Sequence, residues 1–441
     1  MFKTFRNALK IKDVRKKLLY TLLCLVIVRI GCQLPVPEVN REYFQYWMAT
    51  QTGFGFLNTL TGGSFSQMSI FALNISPYIT SSIIMQLLTI AIPKLEEMQK
   101  DGETGRKKIA EWTRYVTIGL AVFESIMMTI GFDNSGLLNE GNLFLQICVI
   151  TASLTAGSAF LMWLGEQITE KGIGNGISVI LLINIVASLP TDFTGLYNQF
   201  IVGAENVVKA VIATVIIIAV VVLLVVLVVL LQDATRKISV QYAKKMQGRK
   251  MVGGQSSHIP LKVNTAGVIP VIFASSLMQT PIIVSSLFGV YGKRGTAWEK
   301  VLYLLNQGNW CHFDDSFKYT LGLVLYLALL IFFAYFYTAV TFNPMEVANN
   351  LKKQGGFVPG IRPGRPTTEY LTKVLNYIIL IGAVCLAVIS IIPIFFAGAF
   401  GAQVSFGGTS IIIIVGVVLE IIRQVETMMR ERHYKGFLSN E

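Results

Sequence analysis

The stretch Gly62–Pro93, GGSFSQMSIFALNISPYITSSIIMQLLTIAIP, carries no charged residue. Its first third is weakly apolar and is broken by Gly62, Gly63, Ser64 and Ser66. Pro77 then interrupts it, and an apolar helix is expected from there to Pro93. One membrane span takes roughly 20 apolar residues. This stretch is too long for one span and too broken for two. It predicts a short half-helix that enters the membrane, a proline break and a full span. Non-helical backbone at membrane depth persists only where protein buries it or where it lines a watery cavity. The segment therefore predicts a cavity, with the other spans arranged around it.

Composition sets the class. Of 441 residues, 53% are hydrophobic and 14% charged, and the mean hydropathy is +0.60. Soluble proteins carry roughly 25% charged residues, so this is a polytopic membrane protein. The net charge of +12 is read by location, because Lys and Arg collect in cytoplasmic loops. Cys24, Cys32, Cys148, Cys311 and Cys385 are scattered and odd in number, which gives neither a disulfide framework nor a metal spacing. The basic start, MFKTFRNALKIKDVRKK, runs into an apolar segment as a signal peptide would. No small-residue cleavage site precedes Arg29, and further spans follow, so an uncleaved first helix is expected.

Span 1 is expected at about residues 18–34, and the half-helix and span 2 within 62–93. Spans 3 to 8 follow at about 115–132, 143–164, 175–189, 210–231, 266–288 and 321–342. Two more lie within 374–419, split by a turn at 393–408. The segment before span 1 holds about seven cations and one acid, and the loops 94–114, 232–262 and 343–373 are each rich in Lys and Arg. Segments 35–61, 133–142, 190–208 and 394–408 have very few, and in 291–318 acids offset the cations. The positive-inside rule then gives ten spans with both termini cytoplasmic. Ten divides into five plus five, residues 1–190 and 191–441. Spans 2 and 7 hold matching places and both contain proline, a pattern that points to an inverted repeat around a functional centre at midplane.

Chemistry is sparse. GIGNGIS (Gly172–Ser178) lacks the strand and βαβ unit of a dinucleotide fingerprint and reads as a tight loop with close helix packing by small residues. His258, His312 and His433 lie in loops or tail, and Glu124 is the clearest acid inside a span, without a partner residue nearby in sequence. No catalytic set or metal site is expected. Coupled transporters place paired charges within the membrane, whereas the middles of spans 2, 4, 5, 7, 8 and 9 carry none. A small-solute transporter would need polar coordination there. Instead the midplane offers Ile75, Ile79, Ile177, Leu181, Ile272 and Ile413. Ile75 and Ile79 flank Pro77, and Ile272 follows Pro270. A hydrophobic constriction gates by dewetting, and β-branched side chains are stiff enough to set a fixed diameter. The loops RKISVQYAKKMQGRKM (Arg236–Met251, with Arg249 and Lys250) and NNLKKQGGFVPGIRPGRPT (Asn349–Thr367, with Arg362 and Arg365) mix Arg, Gly, Pro and aromatic residues and read as docking surfaces; a polybasic lipid patch is the other reading.

These residues resemble the SecY family of bacterial protein-translocation channels over nearly the whole chain. The similar stretches are GGSFSQMSIFALNISPYITSSIIMQLL, FLMWLGEQITEKGIGNGIS (Phe160–Ser178), HIPLKVNTAGVIPVIFASSL (His258–Leu277), FNPMEVANNLKKQGGFVPGIRPG (Phe342–Gly364) and FGGTSIIIIV (Phe406–Val415). The resemblance implies an all-α fold of ten transmembrane helices in two pseudo-symmetric halves, with a re-entrant plug half-helix. It implies a channel that passes unfolded secretory polypeptides and releases transmembrane segments sideways into lipid. The ring at its waist would be Ile75, Ile79, Leu181, Ile272 and Ile413, with Ile177 close by; Leu181 stands where the family commonly has isoleucine. The plug would span about 56–68, including Phe56, Leu60, Gly62, Gly63, Phe65 and Met68, and its poor apolarity suggests that it is weakly held. Spans 2 and 7 would face each other as a lateral gate, with Thr80, Gln86 and Asn264 able to hydrogen-bond across it. The implied partners are SecE and SecG subunits, the SecA motor ATPase or a ribosome on the cytoplasmic loops (about 232–265 and 343–373), a polypeptide with a signal sequence, and membrane lipid. The implied location is the bacterial plasma membrane, and no cofactor is implied.

Overall fold

The structure, a computed structural model, describes residues 10–50, 55–134, 136–139, 141–202, 207–242, 245–247, 250–252, 256–287, 297–311, 320–400 and 408–438. In chain order the helices are α1 (Lys12–Gly31), α2 (Arg41–Thr50), α3 (Gly55–Leu60), α4 (Ser76–Ala91), α5 (Pro93–Lys100), α6 (Glu103–Asn134), α7 (Leu143–Lys171) and α8 (Gly176–Tyr197). They continue with α9 (Val207–Asp233), α10 (Ile269–Leu287), α11 (Ala297–Leu305), α12 (Leu321–Thr341), α13 (Pro344–Lys353), α14 (Arg365–Phe400) and α15 (Gly408–Leu438). A π-helical turn, Asn198–Val202, follows α8.

Helices α1, α4, α6, α7, α8, α9, α10, α12, α14 and α15 occupy the places expected of the ten spans. By length and composition six of them qualify alone, namely α6, α7, α8, α9, α12 and α14, and the bent pair α4–α5 makes a seventh. The others differ locally. α1 carries Lys12, Arg15, Lys16, Lys17 and Arg29, α10 is an uncharged helix of 19 residues with Pro281 inside it, and α15 runs on into a charged end. The chain is a mostly helical, polytopic membrane protein. α9 is almost wholly Val, Ile and Leu, and only 17% of its apolar window is buried within the protein. Such a helix faces lipid on most sides.

Prolines act differently from expectation. Pro77 does not break a span: it is the second residue of α4, where the amide it lacks would be unpaired anyway. Pro393 lies inside α14 rather than opening a turn, because a neighbouring helix can support a proline-freed backbone in a membrane protein. Pro93 does bend the chain. It pushes Ile92 into extended backbone, φ −111° and ψ 110°, as the residue before proline prefers. α4 and α5 therefore meet at 106°.

The basic 232–262 segment is more ordered than the loop read from sequence. β1 (Thr235–Tyr242) pairs antiparallel with β4 (Ser256–Lys262), Thr235 opposite Lys262 and Gln241 opposite Ser256. Between them β2 (Lys245–Gln247) pairs with β3 (Lys250–Val252). β5 (Gly356–Phe357), from the other basic loop, adds to the far edge of β1. Ile238 and Val240 alternate inward and pack with Leu261, Leu351, Val358 and Leu371, the period-2 pattern of a half-buried strand. The two basic loops thus form one body with a small core of their own.

Two groups of helices pack around a shared apolar core. α4 lies on α6, α6 on α7, α7 on α8 and on α1; separately, α10 lies on α12, α12 on α14, and α9 on α14 and α15. The groups meet where α8 touches α15 and where α6 touches α10. The α7–α8 corner shows why GIGNGIS is glycine-rich. A Cβ on Gly176 would strike the Gly165 carbonyl of α7, and the Gly176 amide donates to Thr169 Oγ1 at 2.8 Å. Gly176→Leu is therefore expected to destabilise the fold by about 1–3 kcal/mol, the range for overpacking, and to lower the Tm in detergent. Gly119→Ala, where an added Cβ meets nothing, is expected to leave the Tm unchanged.

Candidate functional site

The centre of the molecule is built from the segment between α3 and α4. α3, which contains Phe56, ends at Leu60, and residues 61–75 continue as turns rather than helix. The half-helix expected at the start of Gly62–Pro93 is therefore corrected: residues 62–75 form no helix, and the short helix α3 precedes them. The turns are closely bonded: Gly63 N–H donates to the Asn58 carbonyl at 2.9 Å, Ser69 N–H to the Ser64 carbonyl at 3.0 Å, and Asn74 N–H to the Phe71 carbonyl at 2.9 Å. Small residues allow this. Gly62 and Gly63 adopt φ +63° and +84°, open to glycine without penalty, and short Ser and Thr side chains bond back onto local backbone. Thr61 Oγ1 accepts from Phe65 N–H at 3.2 Å, and Asn58 Oδ1 from Ser66 N–H at 3.1 Å.

The segment after α1 pairs with this one. Val36 N–H donates to the Met68 carbonyl and Ile70 N–H to the Leu34 carbonyl, each at 2.9 Å. Phe65 and Met68 are buried among Phe44, Phe132, Leu137 and Leu154, with the Phe44 and Phe65 rings edge to face at 5.9 Å. Thr59, Thr61, Ser64 and Ser69 are buried as well. Residues 59–75 are thus enclosed in this conformation, and hydrogen bonds as well as apolar area fix their backbone.

Three side chains reach in from neighbouring spans. Arg29 of α1 donates to the Gly62 carbonyl at 3.2 Å. Asn74, just before α4, donates to the Leu60 carbonyl at 2.8 Å. Asn184 of α8 donates to Asn74 Oδ1 at 3.3 Å. The reading of site residues from sequence missed all three. The signal was available, since Asn184 is an amide within an apolar run and Arg29 a cation at the end of one, and polar groups in a membrane span are expensive unless partnered.

The six aliphatic residues singled out earlier share the apolar core that both helix groups contribute to. Ile75, Leu181, Ile272 and Ile413 are buried in it, and Ile79 and Ile177 pack against it. They come from α4 and its N-cap (Ile75, Ile79), α8 (Ile177, Leu181), α10 (Ile272) and α15 (Ile413). Among the described residues, Asp192 is the one Asp, Glu, Lys or Arg that is buried.

The polar residues expected between spans 2 and 7 bond locally. Thr80 Oγ1 donates to the Ser76 carbonyl at 3.1 Å, Gln86 Nε2 to Ser82 Oγ at 3.4 Å, and Asn264 Nδ2 to the Gly267 carbonyl at 2.9 Å. The bonds expected across the two spans are corrected for this conformation. The physical reason is placement. Among the described residues α4 and α10 make at most a marginal contact, and each leans on α6 instead.

Of the expected docking cations, Arg362 is exposed in non-helical backbone between Pro359 and Pro363, as the prolines predicted. Thr367 Oγ1 donates to its carbonyl at 2.8 Å and ties the tip to the first turn of α14. Arg365 pairs with Glu369 at 3.1 Å on the surface. Lys250 opens β3. Arg249 lies outside the described residues.

Comparison with known proteins agrees with this arrangement. The family model described as SecY matches residues 69–422. The chain is 45% identical over 447 residues to "Protein translocase subunit SecY" of Bacillus subtilis, covering all of both chains. Two solved structures share the fold at a TM-score of 0.60. One is described as "The structure of a protein conducting channel" (19% identity, 95% of this chain and 92% of that one). The other is described as "The plug domain of the SecY protein stablizes the closed state of the translocation channel and maintains a membrane seal" (18% identity, with the same coverage). The match to the family model over most of the chain and the end-to-end identity to a curated relative place this chain in the SecY family.

Proposed function

We propose that the chain is the channel subunit of a bacterial protein translocase, passing unfolded secretory polypeptides across the plasma membrane and releasing transmembrane segments sideways between α4 and α10. The observation that carries this reading is an apolar core, fed by α4, α8, α10 and α15, against a buried non-helical segment. Such a core binds no solute by charge and tolerates any side chain that pushes through it. A ring of Ile75, Ile79, Ile177, Leu181, Ile272 and Ile413 closes the pore by excluding water, and residues 56–68 act as the plug above it. The halves 1–190 and 191–441 move against each other about the α8–α9 connection. Serine at Ile79, Ile272 and Ile413 is expected to wet the waist. Planar-bilayer recordings of the reconstituted complex should show resting ion conductance several-fold above wild type, rising with each added substitution. Wild-type conductance for the triple variant would refute the ring.

The β1–β5 body and the tip at Arg362 form the cytoplasmic docking face for a motor ATPase (SecA) or a ribosome, and SecE- and SecG-type subunits and lipid surround the spans. Both termini are cytoplasmic. Arginine presents a planar, permanently charged fork suited to carboxylate or phosphate, and Arg362 is held out at the tip while Arg365 already has Glu369. Arg362→Glu is expected to leave insertion and topology intact, because Lys352, Lys353 and Arg365 remain nearby. It is expected to cut ATP-driven translocation of a secretory precursor into vesicles by tenfold or more. Wild-type translocation would reduce the loop to a topology signal.

A further inference from the structure

Two spans, α1 and α8, and the turn before α4 converge on one short piece of backbone, Leu60–Gly62. The amide of Asn184 in α8 donates to Asn74, and the amide of Asn74 donates to the Leu60 carbonyl. Both asparagines are almost wholly enclosed, at 1% and 2% exposure. On the other side of Thr61, the Arg29 guanidinium of α1 donates to the Gly62 carbonyl. Gly62 lies directly on α8: a Cβ there would come within 2.8 Å of the Asn184 Cα and carbonyl oxygen. Asn74 sits at φ +51°, a conformation that Asn tolerates better than most residues. Its backbone turns the chain into α4 while its side chain faces back to α3.

We propose that Asn74 and Asn184, bonded in series, together with Arg29 are a latch that holds residues 59–62 shut over the pore and sets how strong a signal sequence must be to open it. The proposal rests on the plug reading given above and assigns the groups that hold the plug. The series arrangement has a definite consequence. Asn184 bonds to this backbone only through Asn74: removing Asn74 frees the Leu60 carbonyl, and removing Asn184 bares Asn74 Oδ1 and leaves the Asn74 amide unsteadied, so losing Asn184 adds nothing once Asn74 is gone. Arg29 acts on Gly62 independently. Asn184 Oδ1 has no partner in its enclosed site, so the latch is incompletely satisfied when closed. An open acceptor in a dry site lowers the stability of that state, which suits a fastening that must release. All three are positioning residues: none has to touch the moving polypeptide.

The test uses the full chain, co-purified with its membrane partners and reconstituted into liposomes. Asn74→Gly is the chief variant, because glycine keeps the positive φ and removes only the amide. Asn184→Ala, the double variant, Arg29→Leu and Arg29→Lys accompany it, with a deletion of residues 59–66 as reference. The readouts are resting ion leak, translocation of a precursor with a shortened apolar signal core, and Tm. Asn74→Gly and Asn184→Ala are each expected to raise resting leak and weak-signal translocation about tenfold, equivalent to about 1.4 kcal/mol. The double variant is expected to match the singles, and Arg29→Lys to leak less than Arg29→Leu. A leaking deletion beside Asn74→Gly at wild-type leak overturns the latch and leaves the plug reading standing. A silent deletion overturns the plug reading and the latch with it. Additive singles overturn the series arrangement. A lower Tm without added leak makes the asparagines purely structural. Should Asn184→Ala fail to assemble, Asn74→Gly alone decides.

Discussion

A peptide carbonyl or amide left bare in an apolar slab costs several kcal/mol, and this constraint governs the whole molecule. The helices meet it internally. Residues 61–75 do not form a helix, so every polar group there needs a partner from somewhere else. Turn bonds, the pairing with 34–36, the Asn74 side chain, and side chains from α1 and α8 supply many of them, while the Ser64 and Ser69 hydroxyls are buried without one. The surrounding spans are therefore placed by what this segment needs as well as by their own apolar faces. Gly157 of α7 illustrates the closeness, since a Cβ there would collide with the Ile70 carbonyl.

The same requirement makes the molecule uneven. On one side the two helix groups are tied by a polar contact and continuous chain. Arg423 of α15 donates to the Gln232 carbonyl at 2.9 Å and pairs with Asp233 at the end of α9, which fixes α15 within its own group. Gln424 accepts from the amide of Gly174, just before α8, and a π-helical turn continues α8. On the other side α4 and α10 scarcely touch and their polar side chains bond locally. In the channel proposed above, two bodies fastened along one edge would part at the other, where the Thr80, Gln86 and Asn264 side chains bond locally and apolar packing in lipid has little hydrophobic drive behind it.

Much of this was legible in the sequence, and for identifiable reasons. Span positions follow from hydropathy, because a bilayer demands long apolar runs. The aliphatic candidates could be singled out because Ile75, Ile79 and Ile272 stand beside prolines, and the exposed Arg362 tip follows from its two flanking prolines. The misses share another cause. Pro77 and Pro393 were read as breaks because proline disrupts isolated helices, but a first-turn position and a supported span tolerate it. The hairpin from β1 to β4 was hidden by its charge, since its inward positions, Ile238, Val240 and Leu261, are only a few among many cations. Asn74 and Asn184 lie 110 residues apart, and no local pattern joins them.

On the channel reading proposed above, the apolar core and the buried amides divide the work of closure in a way that follows from their physics. Aliphatic packing is non-directional and roughly proportional to area, so a ring of Ile and Leu can close around nothing or around a chain of any sequence and lose little either way. It seals, but it cannot distinguish one closed arrangement from another. Hydrogen bonds are directional and expensive to leave unmade in a dry site, so they choose one position for the segment above the ring. If amides formed the ring, they would bind particular side chains and select among polypeptides. If Ile or Leu alone held the segment, it would slide. Placing Ile75, Leu181, Ile272 and Ile413 in the core while Arg29, Asn74 and Asn184 grip Leu60–Gly62 gives the passage indifference to sequence and the closed state a definite position.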